Sequence, residues 1–321
     1  MSKIEVKPIS WERDSMNPRL EFEVSGINYT IANTLRRVVM THIPVYAFNN
    51  VTISENTSVF DNNYLKLRLS NMAVHGIVAD NPIFVHTKKE EVKTNMDELD
   101  IDFNAKDDTV NSSSLKQLTM YVDYINNTSD IVTVGTNDAK FYYSEKQIDS
   151  PYPVNIPIVK LQGGQRIKLS AITVLGCEEI SSIYSAVSIF TYKQLADDKY
   201  HIILESRGQL DEKTILQYAY DNIRKLLDNF LQLIPDREEI NGKLQLNEGD
   251  HTLGNLISDG LKKHKKVKFA GYNSPHLLDK KIIFHYELNE KANIKHIIKE
   301  TINNYMDTFE TLNKLIQKNI K

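Results

Sequence analysis

The sequence predicts an α+β fold made of two similar strand–helix units that pair within one chain, with an inserted mainly-β domain in the first. Three observations carry this. A four-residue pattern recurs at a distance, Thr30-Ile31-Ala32-Asn33 being echoed by Thr252-Leu253-Gly254-Asn255. Each copy follows an alternating run (Leu20, Phe22, Val24; Leu244, Leu246) and precedes a small and aromatic cluster, Val45-Tyr46-Ala47-Phe48 or Phe269-Ala270-Gly271-Tyr272. Two long amphipathic segments, 212–233 and about 292–320, supply helices whose apolar faces need partners.

Residues 28–44 read as a short helix with Thr30 at its N-cap and Pro44 beyond its end, since the residue before proline is pushed out of the α region. Ile31, Leu35, Val38 and Val39 fall on one stripe and predict burial. Asn33, Arg36, Arg37 and Met40 line a neighbouring face that carries two cations. Val51 and Ile53 then alternate as a strand running into a polar turn at Ser54-Glu55-Asn56.

From about 57 to 155 the chain is rich in Asn, Asp and Thr, with short alternating runs at 119–124 and 131–134. This is the texture of an antiparallel β unit, and 96–114 reads as its most flexible loop. Prolines at 151, 153 and 157 punctuate the chain before strands at 158–161 and 166–174, joined by a turn at Gly163-Gly164. His201–Glu205 is a further strand. Asp211 caps the helix 212–233, whose stripe is Ile215, Tyr218, Ala219, Ile223, Leu226, Leu227 and Phe230. The expected domains are therefore 1–56 with 156–235, an insert at 57–155, a linker at 236–243, and a second unit at 244–321. In the last helix Ile294, Ile297, Ile298, Thr301, Ile302, Tyr305, Phe309, Leu312, Leu315 and Ile316 form one face, for which 212–233 is the expected partner.

Composition narrows the function classes. A chain of 321 residues has room for two cores, and its hydrophobic (41%) and charged (25%) fractions are those of ordinary globular proteins. Thirty-nine basic against 42 acidic residues, a formal charge of -3, argue against a protein that blankets a phosphate backbone. With Cys177 as its only cysteine, the chain can build neither an internal disulfide nor a cysteine-rich zinc site. The opening residues have no apolar run of signal-peptide length and no stretch approaches the roughly 18 apolar residues of a membrane span, so the expectation is an intracellular, reducing compartment with no membrane contact.

The stretch from Val24 to Pro44 with its Ala32-Asn33-Thr34-Leu35-Arg36-Arg37 core resembles the α-like component of multisubunit RNA polymerases, as do Asn56-Thr57-Ser58-Val59, Ile158-Val159-Lys160-Leu161 with Gly164-Gln165, and Glu205-Ser206-x-Gly208-Gln209-Leu210. That family comprises the bacterial α amino-terminal domain, its archaeal D-type counterpart and the eukaryotic third subunit. Residues 244–286, with Asp250-His251-Thr252-Leu253-Gly254-Asn255-Leu256 and Phe269-Ala270-Gly271-Tyr272-x-x-Pro275-His276, look like the smaller partner, the archaeal L-type or eukaryotic eleventh subunit. Fusion of the two in one polypeptide is similar to the arrangement in some large cytoplasmic DNA viruses. The resemblance implies two α-amino-terminal-domain-like units forming an internal dimer of D/L type, a non-catalytic platform for the largest and second-largest polymerase subunits. Small polymerase components would dock on it, and nucleic acid would be met only through the complex. Carried over by position, Ile31, Leu35, Val38, Leu253, Gly254, Leu256, Ile257, Phe309 and Leu312 would form the internal interface, and Asn33, Arg36, Arg37 and Met40 would face the second-largest subunit. The resemblance implies viral transcription, a cytoplasmic factory and packaging in the virion if the source is a virus. Relatives that bind zinc or an iron–sulfur cluster use clustered cysteines; their absence here predicts no metal and no cofactor. No counterpart of the bacterial carboxy-terminal DNA-binding domain is expected.

Other signals are weaker. Asp100-x-Asp102-x-Asn104 begins like a calcium loop, but Ala105 stands where the turn needs Gly and Asn111 where the closing Glu belongs, so Asp97, Asp100, Asp102, Asp107 and Asp108 read as a solvated acidic loop. The run Lys262-Lys263-His264-Lys265-Lys266-x-Lys268 reads as a solvated helix terminus, and its alternative use is as the surface of a free-standing nucleic-acid-binding adaptor. No zinc-protease, phosphate-loop or nucleophile-elbow motif is present, so no catalytic residue is assigned, and His251 and His276 are read as structural hydrogen-bonders.

Overall fold

The computed structural model describes residues 3–13, 18–83, 117–144, 146–246, 251–276 and 281–320. In chain order these form β1 (Glu5–Glu12), β2 (Arg19–Ser25), α1 (Tyr29–Thr41), β3 (Val45–Asn56), α2 (Asn62–Ser70), β4 (Leu118–Ile125), β5 (Val132–Gly135), β6 (Lys140–Tyr143), β7 (Lys146–Ile148), β8 (Pro157–Leu161), β9 (Arg166–Gly176), β10 (Val187–Ala196), β11 (Lys199–Ser206), α3 (Glu212–Leu233), β12 (Glu238–Leu246), α4 (His251–Lys263), β13 (Val267–Asn273), β14 (Ile282–Asn293) and α5 (Ile294–Asn319). The class is α+β, with antiparallel sheets throughout. Two compact units result, one drawn from 1–44, 81–83 and 177–321 and the other from 45–80 and 84–176.

The first unit contains the repeat. Its sheets are ordered β1-β2-β11-β10 and β12-β14-β13. Removing β1 leaves the same topology twice: strand, helix, two further strands with the last in the middle, then a long helix. Thus α1 corresponds to α4 and α3 to α5. The other unit enters the first copy between α1 and β10. The clusters following the two helices are therefore not equivalents, because Phe269–Tyr272 lies in β13, the counterpart of β10, whereas Val45–Phe48 opens β3 of the other unit.

Each long helix turns its stripe inward. In α3, capped by the Asp211 carboxylate on the Thr214 N–H at 2.9 Å, Ile215, Ala219, Ile223, Leu227 and Phe230 are buried. In α5, Ile294, Ile297, Ile298, Ile302, Tyr305, Phe309, Leu312 and Ile316 are buried. The two helices pack together, and the Asn313 amide donates to Gln217 Oε1 at 2.8 Å while Gln317 donates to the Lys213 carbonyl at 3.0 Å. Lys213 Nζ in turn donates to the carbonyls of Gln317 (3.1 Å) and Ile320 (2.9 Å), satisfying groups that the end of α5 leaves open.

Several boundaries differ from the sequence reading. The linker expected at 236–243 is mostly strand: β12 pairs with β14 from Glu238↔Asn293 to Leu246↔Ile282, with alternate residues Leu244 and Leu246 buried. Its opening glutamates are charges on an exposed edge, which made them look like a linker. The polar turn expected at 54–56 is the end of β3, where Glu55 and Asn56 still pair with Lys168 and Ile167. The inserted unit is wider than 57–155, because β3 and β9 pair with each other and β9 with β4, giving one sheet of order β3-β9-β4-β6-β7. Its core gathers Phe48, Leu65, Leu69, Leu118, Met120 and Phe141 among others. The sequence reading missed α2 because the helix has no single apolar stripe: Leu65 and Leu69 are buried while Tyr64 and Leu67 are exposed.

Close approach of α4 to α5 depends on Gly260. A Cβ there would meet the Thr301 methyl and sit 2.6 Å from the Tyr305 ring. Alanine normally favours a helix over glycine by about 1 kcal/mol. Here overpacking, typically about 1–3 kcal/mol, should win, so Gly260→Ala should lower the melting temperature. A rise on thermal denaturation would contradict this packing.

Candidate functional site: the α1 and α4 helix pair

Asn28, not Thr30, caps α1: its Oδ1 accepts the Ile31 N–H at 3.0 Å. Thr30 lies one residue inside the helix, fully buried, and its hydroxyl has no hydrogen-bond partner among the described residues. The helix ends at Thr41, before Pro44, where the His42 N–H reaches the Val38 carbonyl at 2.9 Å and the Thr41 hydroxyl donates to the Arg37 carbonyl at 2.8 Å. The stripe expected from spacing is buried: Ile31, Leu35, Val38 and Val39, together with Ala32.

The helix α4 buries Thr252, Leu253, Gly254, Leu256, Ile257, Ser258 and Leu261. It packs on β13 and β14 of its own half, on α5, and on α1. At Gly254 a Cβ would lie 2.7 Å from the Tyr272 ring of β13, so that position serves packing within the second half. Phe309 and Leu312 are buried on α5.

Polar bridges between described residues cross the α1 and α4 contact. Arg37 Nε donates to Thr252 Oγ1 at 2.6 Å, at the start of α4. Asp259 Oδ2 accepts from Asn28 Nδ2 at 3.0 Å, at the start of α1. Arg37 stands seven residues after Thr30, and Asp259 seven residues after Thr252. Equivalent positions of the repeat thus reach reciprocally to the opposite helix, one with an arginine and the other with an aspartate. Asp259 also accepts from Tyr305 of α5 at 2.8 Å and from Lys263 at 2.6 Å. Its burial works against ionisation, but the hydrogen bonds from Lys263, Tyr305 and Asn28 prevail and hold the carboxyl below its ordinary range. The Tyr305 hydroxyl is pushed the other way by burial and by the Asp259 carboxylate.

The strip assigned to a larger partner divides in two. Arg36 is half-buried, and its Nε and Nη2 donate to Asn33 Oδ1 at 3.1 and 3.0 Å, which holds the guanidinium beside Asn33 on the same face. Met40 is half-buried. Arg37 is instead drawn into the helix pair. Neither Asn28 nor Asp259 was singled out in the sequence, and Tyr305 was read only as part of the apolar face of the last helix, although the seven-residue offset from the two threonines would have found Asp259.

In the lysine run, Lys263 pairs with Asp259 (2.6 Å), Lys266 with Glu290 (3.8 Å) and Lys268 with Glu287 (2.6 Å). Glu300 accepts from His264 at 2.9 Å and lies 3.2 Å from His296, and the His264 bond chiefly lowers its pKa. The His251 ring packs 5.9 Å from that of Tyr272. Among the described residues no group of three or more His, Cys, Asp or Glu could hold a metal ion, and no helix is long and apolar enough to cross a membrane. The loop 96–114, with Asp97, Asp100, Asp102, Asp107 and Asp108, and the motif residue Asp250 lie outside the described residues.

Two topologically equal α/β halves joined across their first helices define a dimerisation module folded from one chain. Comparison with known families agrees: residues 21–227 and 241–315 each match a model of the RNA polymerase Rpb3/Rpb11 dimerisation domain. The chain belongs to this family. It is 27% identical over 331 aligned positions to R470 of Acanthamoeba polyphaga mimivirus, whose name assigns it provisionally to DNA-directed RNA polymerase; the alignment covers 95% of this chain and 92% of that one. It is 26% identical to DNA-directed RNA polymerase subunit Rpo3 of Methanocaldococcus jannaschii, over 63% of this chain and 84% of that one. Against the human subunit RPAC1 of RNA polymerases I and III the identity is 27%, over 56% and 51%.

Removing the Asp259 carboxylate leaves the Asn28 amide and Tyr305 hydroxyl without their acceptor, so Asp259→Ala should cost about 2–3 kcal/mol in denaturant unfolding. The folded-state pKa lies below the ordinary 3.8, so the ionised group stabilises the fold above that value. This contribution is lost as pH falls through the folded-state value. Acid titration of stability in the wild type should show that loss, and Asp259→Ala should lack it.

Proposed function

We propose that this chain is a non-catalytic assembly subunit of a DNA-directed RNA polymerase, whose internally paired halves form the platform for the largest and second-largest subunits. The observation that carries the reading is that both family-matched segments meet through α1 and α4 in one chain. A preformed pair avoids the association cost that two separate polypeptides would meet. In this reading the halves built from 1–44 with 177–235 and from 238–321 are the two dimerisation domains, and Ile31, Leu35, Val38, Leu253, Leu256 and Ile257 are their contact. Asn33, Arg36 and Met40 face the second-largest subunit. Guanidinium groups suit such a surface because they make forked bonds to carboxylates and carbonyls. Arg37 acts from inside the pair, by orienting α1 through Thr252. Nucleotidyl transfer belongs to the large subunits, and nucleic acid, smaller subunits and an intracellular or viral-factory location come with the complex. The similarity to the mimivirus protein supports that setting.

A free-standing nucleic-acid adaptor is the competing reading. Pairing of Lys263, Lys266 and Lys268 with carboxylates weighs against it, as does the net charge of -3.

Affinity purification of the tagged chain tests the choice. Recovery of two very large subunits is the expected result, whereas a free chain whose DNA affinity falls steeply with salt would overturn the proposal. Arg36→Ala should leave unfolding stability within about 0.5 kcal/mol of wild type and reduce recovery of the second-largest subunit. Arg37→Ala should instead lower stability by about 1–2 kcal/mol, through loss of a charge-assisted bond. Equal behaviour of the two variants would contradict the division of roles.

A further inference from the structure

Unpaired sheet edges expose backbone donors and acceptors that template another strand, and proteins protect them with charge, proline, bulges or covering elements. Three edges of the first unit are protected in these ways. Strand β1 carries Glu5, Lys7, Pro8 and Glu12, and α5 lies against it with the Asn319 amide on the Val6 carbonyl at 2.9 Å. Strand β12 carries Glu238, Glu239 and Lys243. Strand β13 is short, and its Lys268 is tied to Glu287.

Strand β10 differs. It is the terminal strand of its sheet and ten residues long, and Lys193 is its only charge. Irregularities at Val187/Ile189 and Gln194/Ala196 bracket a regular stretch, Ile189–Gln194, in unbroken register with β11. Its inner face is anchored, since Phe190 is buried and the Tyr192 ring meets that of Tyr200 edge-on at 5.8 Å. Facing outward are Ile189 (42% exposed), Thr191, Lys193 and Leu195 (45% exposed). Lys193 has no ion pair among the described residues. A regular, apolar, almost uncharged edge on a rigid sheet is the form that accepts an added strand.

We propose that β10 is completed by an extended segment of another polypeptide in the assembled polymerase. The segment runs antiparallel to β10, as every pair in this sheet does, and exchanges main-chain hydrogen bonds with Ile189–Gln194. Its aliphatic side chains cover Ile189 and Leu195, and a carboxylate answers Lys193. The inference rests on the assembly reading above and adds to it a defined surface and the chemistry of its partner.

Hydrogen exchange on β10, compared between the free chain and the purified polymerase, tests it. Outward-pointing amides of Ile189–Gln194 should exchange at least about ten-fold more slowly in the complex. The double variant Ile189→Lys/Thr191→Lys changes only exposed side chains, so it should keep the melting temperature of the free chain but lose that protection in the complex. Equal exchange in free chain and complex, with both large subunits present, would overturn the inference and leave the assembly reading intact. Dimerisation of the free chain through β10, seen by light scattering and abolished in the double variant, would also overturn it, because the occupant would then be a second copy. Failure to recover the large subunits would overturn the assembly reading and this inference with it.

Discussion

The reciprocal crossing of α1 and α4 is the constraint on which the first unit depends. Arg37 reaches the start of α4, and Asp259 receives a hydrogen bond from the residue that caps the start of α1. Both helix N-termini are thereby fixed by the opposite half, so the register of the apolar contact between them is fixed too. The two bridges are chemically complementary, a donor on one helix and an acceptor on the other, and that makes the pairing asymmetric. Thr30 shows the same asymmetry from another side: its buried hydroxyl has no partner among the described residues, while the equivalent Thr252 accepts from Arg37. Asp259 extends the constraint to α5 through Tyr305, so one half-buried carboxylate ties three helices.

This geometry explains how two topologically equal halves become a single dimerisation module. Each half has a sheet with one buried face and a helix pair that must bury its own stripe. Packing of α3 on α5 and of α1 on α4 joins the two cores, and the Asn313 and Gln317 amides satisfy polar groups where the long helices meet. The connection between halves is short because β12 begins at Glu238, so fusion removes most of the freedom that separate polypeptides would lose on pairing. In the proposed assembly, Arg36 and the β10 edge offer two separate surfaces beyond this internal joint.

Much of the arrangement was legible in the sequence because it rests on periodicity. The stripes of α1, α3 and α5 follow helical spacing, and Asp211 stands at the start of α3 as its cap. The repeat was visible because Thr30 and Thr252 occupy equal places on equal helices. What was missed depends on contacts between residues distant in sequence. Arg37 read as part of the strip turned to a larger partner because nothing local shows that Thr252 lies beside it. Asp259 carries no local signal of its role, although it accepts from Asn28, Lys263 and Tyr305. The Asn28 cap was displaced by a neighbouring threonine of similar capping chemistry, and α2 has apolar residues on both sides and hence no readable stripe.

Native mass spectrometry of the purified polymerase tests whether both halves of the dimerisation module come from the same chain. The account predicts one copy of this chain for each copy of the largest and second-largest subunits. Two copies per complex would mean that the halves pair between chains, and would contradict it.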